Sequence, residues 1–362
     1  MTGMLGHGRR RVARLAIAAA AANTVIGLLV VPASGAAAAT PQVTTVSTAY
    51  VAPLQLAVRG GRILVTDRGR LSELGRVGVL ATGPRFGDLT GVAYDADGSG
   101  YAYTSSTPDH ADTRLTIVAA DGTRVTASLS GFERSTNPDR RISYGVDRPS
   151  ACVRKAFKAL DGGPASYTGR VDSHPVAVAN AGAVWFVADA AANAVLRVDA
   201  VGEVRLVNVL PRQAFRFSPR LAQGLGLPSC VDGVTYRAEA VPTDVELGPD
   251  GNLYVTTRPG LYDLGQGGSL YRMNPRNGRE VRIAGGFAGA GDLAVTSTGA
   301  VFVAEALTGH IEAVRSSGRH STYLTLPGLA GLEADDGHLY ASVSAPVSEG
   351  VRTGPGRVVR IG

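Results

Sequence analysis

The sequence predicts an all-β fold: a six-bladed β-propeller carrying two short helical insertions on one face. Three observations predict it. A unit made of an apolar stretch, a tight polar turn and a second alternating stretch returns six times, with the second stretches at 63–67, 101–105, 185–189, 253–257, 301–305 and 339–343. Self-similarity near 40 residues marks a stacked array, because one such unit cannot bury its apolar face alone. The turns are rich in Gly, as in Asp97-Gly98, Asp250-Gly251 and Asp336-Gly337, and these supply the positive φ that short hairpins need. Few aromatics and many Val, Leu and Ala in alternation complete the pattern of short antiparallel strands.

Residues 1–39 read as a signal peptide. Arg9, Arg10, Arg11 and Arg14 precede an apolar stretch from Leu15 to Val31, and Ala37-Ala38-Ala39 offers a small-residue cleavage site. The stretch stands at the short limit for a membrane span. The expectation is therefore a secreted chain, extracellular or periplasmic, with no membrane contact after cleavage. The leader also holds four of the 36 basic residues, so the remainder has 32 against 30 acidic ones and a net charge of +2 instead of +6. Such a balance gives no support to nucleic-acid binding. Residues 40–362 are expected to form one propeller domain.

The last residues of the second stretches serve as a ruler, at 67, 105, 189, 257, 305 and 343. Their spacing gives a unit of about 38 residues with excess material before the third, fourth and fifth marks. The largest excesses are insertions at about 131–173 and 211–241. In a four-strand blade the first-to-second and third-to-fourth turns share one face, while the remaining connections share the other. All long connections fall in the second set. One face is plain and the other elaborated, and long loops on a rigid scaffold tend to carry binding residues.

Each insertion holds one cysteine. In an exported chain Cys152 and Cys230 are expected to pair. Ser150 caps a short helix with apolar residues at Val153, Ala156, Phe157 and Leu160, and Ser218-Pro219 starts a second that Gly224 stops. Two small helices joined by a disulfide would cap part of the ring. The sixth unit has only three strands before the chain ends, so 43–48 is expected to supply the fourth and remove an open edge.

From Tyr50 to Gly362 the chain resembles the ScyD/ScyE family of exported, propeller-like proteins. The likeness rests on Asn137-Pro138-Asp139, Tyr144-Gly145, Pro149-Ser150, Cys152-Val153 and the run from Tyr167 to Pro175. It extends to Gly226 through Val231, Val241 through Asp250 and Gly286 through Gly289. The chain departs from the family pattern at Ala192 and in a shorter loop after Thr257. The resemblance implies fold and export and carries no biochemical activity.

The candidate ligand-binding residues are His174, Asp244 and Asp292 at the start of first strands, Glu333 within one, and Asp189 and Glu305 at the ends of second strands. Convergent carboxylates and an imidazole at a channel mouth suit a polar ligand or a hard cation such as calcium, with Asp244 and Asp292 as its ligands. The structural alternative has Asp244 and Asp292 accepting neighbouring backbone amides to close the inner ring. Asp67, Asp189 and Glu305 fit loop-closing acceptors, with Asp189 paired to Asn193. Asp109, His110 and Asp112 read as a solvated loop. Arg134, Arg140, Arg141 and Arg148 with Asp139 and Asp147 read as a solvated surface.

The glycine string from Gly289 to Ala294 precedes a strand, not a helix, so it is no dinucleotide fingerprint. No nucleophile elbow, zincin or phosphate-loop motif occurs. The sequence thus points to a secreted monomer that binds a small molecule, glycan or protein on the insert-capped face. No cofactor is expected apart from a divalent cation. The rival reading is a metal-dependent lactonase or lyase-like propeller enzyme.

Overall fold

Alternating strands and tight turns build six four-stranded antiparallel sheets in chain order. The computed structural model describes residues 41–160, 163–260, 267–345, 347–348, 351–352 and 354–362. The expected leader, 1–39, and most of the loop after Pro259 lie outside the described residues. Thr40–Gly362 forms one compact unit. Sheet 1 starts with Pro53–Arg59, sheet 2 with Asp88–Tyr94, sheet 3 with Pro175–Ala181, sheet 4 with Ala240–Leu247, sheet 5 with Ala290–Val295 and sheet 6 with Leu329–Asp335. These first strands pack side by side in that order, and the sixth returns to the first.

Closure follows the expectation. Val43–Tyr50 pairs antiparallel with Gly356–Ile361 as the fourth strand of sheet 6, joining the two ends of the described chain. The apolar faces of neighbouring sheets meet between them. Leu253, Val255 and Met273 of sheet 4, for example, share a core with Ala177, Phe186 and Val195 of sheet 3. Each sheet alone would leave that face in water, and burial of apolar area is what holds the array.

Every first strand carries a register shift near its start, between Pro53 and Leu56, Leu89 and Val92, Pro175 and Ala177, Pro242 and Asp244, Ala290 and Asp292, and Leu329 and Gly331. Such bulges re-aim the side chains beyond them. The repeat spacing in sequence does not show them.

The insertions hold more than two helices. Helix α1, Leu129–Thr136, opens the first insertion, capped by Ser128, whose Oγ accepts from Gly131 N. Helix α2, Ala151–Ala159, and helix α3, Pro219–Gly224, stand where expected, capped by Ser150 and Ser218. Beside them lies an unexpected seventh four-stranded sheet. Its strands are Ser143–Gly145 and Ser166–Thr168 from the first insertion, and Gln213–Arg216 and Thr235–Ala238 from the second. Cys152 and Cys230 are bonded, with Cα atoms 6.4 Å apart. Phe157, Phe217 and Tyr236 fill a core of the cap's own. No helix among the described residues is long and apolar enough to cross a membrane.

Candidate functional site

The far ends of all six first strands, with their turns, line an axial cavity of about 1040 Å³. It lies at the plain end of the ring, whereas the sequence placed the expected binding face under the insertions. Tight turns leave this end of the axis uncovered, whereas the insertions pack at the other. Arg59, Arg197 and Arg276 reach its wall from the turns and third strands, facing Asp95, Asp335 and the half-buried acids Glu246 and Glu333.

Glu246 lies two residues beyond Asp244, so period-two alternation puts both on one face of the strand. Asp292 occupies the matching place in sheet 5, since Asp244 opposes Thr256 and Asp292 opposes Ala304. Asp244 Oδ2 accepts from Leu293 N at 2.9 Å, and Asp292 Oδ1 from Leu332 N at 3.1 Å. Each carboxylate therefore ties its first strand to the next, as the structural reading expected.

The four acids Asp244, Glu246, Asp292 and Glu333 form one electrostatic group with no Arg or Lys paired to any of them among the described residues. Burial raises Asp244 to about 6. Burial and the charge of Asp244 hold Asp292 and Glu246 well above the usual carboxylate range, and burial, then Glu246 and both aspartates, do the same to Glu333. Like charges this close cannot all ionise, so the group titrates as a unit.

His174 does not join them. Ala177, not His174, opposes Ala188 in the place that matches Asp244, and His174 stands three residues ahead of it, before the register shift. Its Nε2 lies 3.1 Å from Asp88 Oδ2, and its ring stacks on His110 at 4.5 Å. His110 in turn bonds Asp172 through Nδ1 at 2.9 Å. The loop of Asp109, His110 and Asp112 is thus docked through His110, not simply solvated.

Asp189 is fully buried and accepts from Ser173 Oγ, His174 N and Ala192 N. It closes its loop as expected, but through Ala192 instead of Asn193. Asn193 points its amide at Asp139 Oδ2, 3.0 Å away. Asp139 is itself buried, which removes it from the solvated surface assigned to its neighbours.

Glu305 accepts from Ala288 N and Thr308 Oγ1. With His310 and Glu312 it makes a group of three carboxylate or imidazole donors within 4.8 Å of one another, the only such group among the described residues. His310 Nδ1 stands 3.7 Å from Glu305 Oε2 and 3.8 Å from Glu312 Oε1. These separations exceed a hydrogen bond and suit ligands that share a cation. His320 and Thr322 orient Glu312 from behind. The calcium reading of Asp244 and Asp292 gains no such convergence.

Sequence reasoning missed Glu246, Glu133, His310 and Glu312. Glu246 was signalled by the alternation Asp244-Val245-Glu246. Glu133 was signalled by its place four residues after Leu129 on an apolar helix face. For His310 and Glu312 the signal was the pair spaced by two on a third strand.

No known protein family and no curated protein matches this sequence. Solved structures do. A protein of unknown function from Bacteroides thetaiotaomicron aligns over 88% of this chain and 72% of its own, at 11% identity and a TM-score of 0.52. A gluconolactonase, XC5397 from Xanthomonas campestris, aligns over 89% of both chains at 14% identity and a TM-score of 0.51. A streptogramin B lyase aligns over 89% of this chain and 97% of its own, at 11% identity and 0.47. At this identity the likeness concerns the fold alone, and it is a β-propeller fold.

Proposed function

We propose that this chain is an exported, monomeric six-bladed propeller of the ScyD/ScyE type that binds a small polar molecule in its axial cavity. One observation carries the reading. Six strand ends converge on about 1040 Å³ of space whose wall holds Glu246 and Glu333, both kept above the usual carboxylate range, together with arginines from the surrounding turns and third strands. A concave site with a few convergent polar groups of perturbed titration is the ordinary form of a ligand pocket. The paired polarity suits a polyhydroxylated or zwitterionic ligand, which takes hydrogen bonds from Arg and gives them to carboxylates. The disulfide fits an oxidising compartment.

A thermal-shift screen of sugars, sugar acids and amino acids tests this. Glu246→Gln with Glu333→Gln is expected to weaken a ligand found in the screen at least tenfold while leaving the fold intact. Unchanged affinity in that double variant, with loss on His174→Ala instead, would return the site to the insert-capped end.

The second reading, a metal-dependent enzyme, draws support from Glu305, His310 and Glu312. Three protein donors with an exposed side are the form of a metal site that keeps a position open. Zinc or manganese retained by the wild type and lost in His310→Ala would favour it.

A further inference from the structure

Where the first insertion meets sheet 3, several buried side-chain oxygens lack a hydrogen-bond partner. Glu133 on α1 is 1% exposed, and neither Oε1 nor Oε2 has a hydrogen-bond partner. Asn137, Asp139 and Asn193 each leave Oδ1 in the same condition. Five of the ten buried side-chain polar atoms without a partner among the described residues come from these four residues. Buried polar atoms are nearly always satisfied, so such a concentration needs a cause.

Contacts tie the four together. Asn137 N donates to Glu133 O at 2.8 Å, which places the two residues one helical turn apart. The Asn137 amide donates to Gly169 O at 3.3 Å. Gly169 lies so near Asp139 that a Cβ on it would stand 1.9 Å from Oδ1. The second oxygen of Asp139 accepts from the Asn193 amide and from the Tyr144 hydroxyl, both at 3.0 Å. Because both Asn amides are engaged, their Oδ1 atoms are fixed as bare acceptors.

The charges point the same way. Burial, then the charges of Asp189 and Asp139, push Glu133 up to about 8, while the backbone N–H of Asp172 pulls the other way. Burial also raises Asp139 and the neighbouring Glu239. No Arg or Lys pairs with Glu133 or Asp139 among the described residues. Hard cations take carboxylate and amide oxygens in this combination, often with one carboxylate bound through both atoms.

We propose that Glu133, Asn137, Asp139 and Asn193 form a cation site for calcium, with five protein oxygens and the remaining positions left to water. The ion joins α1 in the first insertion to the loop that follows the second strand of sheet 3. It fastens cap to ring, whereas the disulfide fastens the two insertions to each other.

The test uses the full mature chain purified without chelator. About one calcium per chain is expected by elemental analysis, with a melting temperature that falls on chelation and recovers on adding calcium. Terbium should bind in its place and luminesce on tyrosine excitation, since Tyr144 touches Asp139. Glu133→Gln keeps the side-chain shape, and Asn193→Gly keeps the positive φ of 55° at that position. Both variants should abolish the calcium shift and the terbium signal. Either of two results would overturn the proposal: a wild type that ignores calcium and terbium, as a site filled only by water or protons requires, or a response that both variants retain.

Discussion

The two ends of the ring bury acid in opposite ways. At the plain end Glu246 and Glu333 line an open cavity, while Asp244 and Asp292 each accept a backbone amide of the next strand. At the capped end Glu133 and Asp139 are sealed under the insertions with oxygens that no donor meets. The first arrangement ties Asp244 and Asp292 into structural hydrogen bonds, with one oxygen of Asp292 left over, and couples the charges of all four acids. The second leaves its acids asking for a cation. Proximity of carboxylates therefore says little until the fate of each oxygen is known.

The largest expected effect separates the ends by linkage. Replacing Cys152 and Cys230 with Ala opens a loop of 78 residues and should cost about 4 kcal/mol in the chain-entropy account. Urea denaturation should show the loss, while ligand affinity at the axial cavity stays unchanged. A parallel loss of affinity would mean that the two ends are one cooperative site.

Next comes pH. Asp244 titrates near 6 in the fold and about 4 when unfolded. Between those values the folded state holds more protons, so this group lowers stability as pH rises through that window. Asp244→Asn retains an acceptor for Leu293 N and removes the charge. It should gain on the order of 1 to 2 kcal/mol relative to wild type at pH 7 over pH 4, measured by denaturation at both values. A gain at pH 4 instead would mean that Asp244 is held ionised.

The smallest effect concerns the cap alone. Ser150 Oγ accepts from Val153 N at 3.2 Å, and Ser150→Ala should cost about 1 kcal/mol. The loss belongs to α2 and should leave the Asp244 titration unmoved, which amide exchange on α2 and a pH series together check.

Much of the fold was legible. The six second strands, the chain-end clasp at Val43–Tyr50, both cysteines in one cap and the serine caps of α2 and α3 all follow from local patterns. The site was legible only in part. Asp244, Asp292 and Glu333 were drawn from strand positions and do meet, but His174 stands three residues before the matching place in its own strand, an offset that no residue pattern announces. The seventh sheet pairs strands of three and four residues from segments about 90 residues apart. Runs so short carry no period of their own.

The sequence by itself determined the repeat, its closure and which loops are long, because hydrophobic alternation and turn chemistry act over a few neighbouring residues. Only the tertiary structure decided which end of the axis holds the cavity and that Glu133, Asp139 and Asn193 share one buried place. Those outcomes depend on where bulges turn the first strands and on contacts between residues more than 50 positions apart, and packing in three dimensions alone sets both.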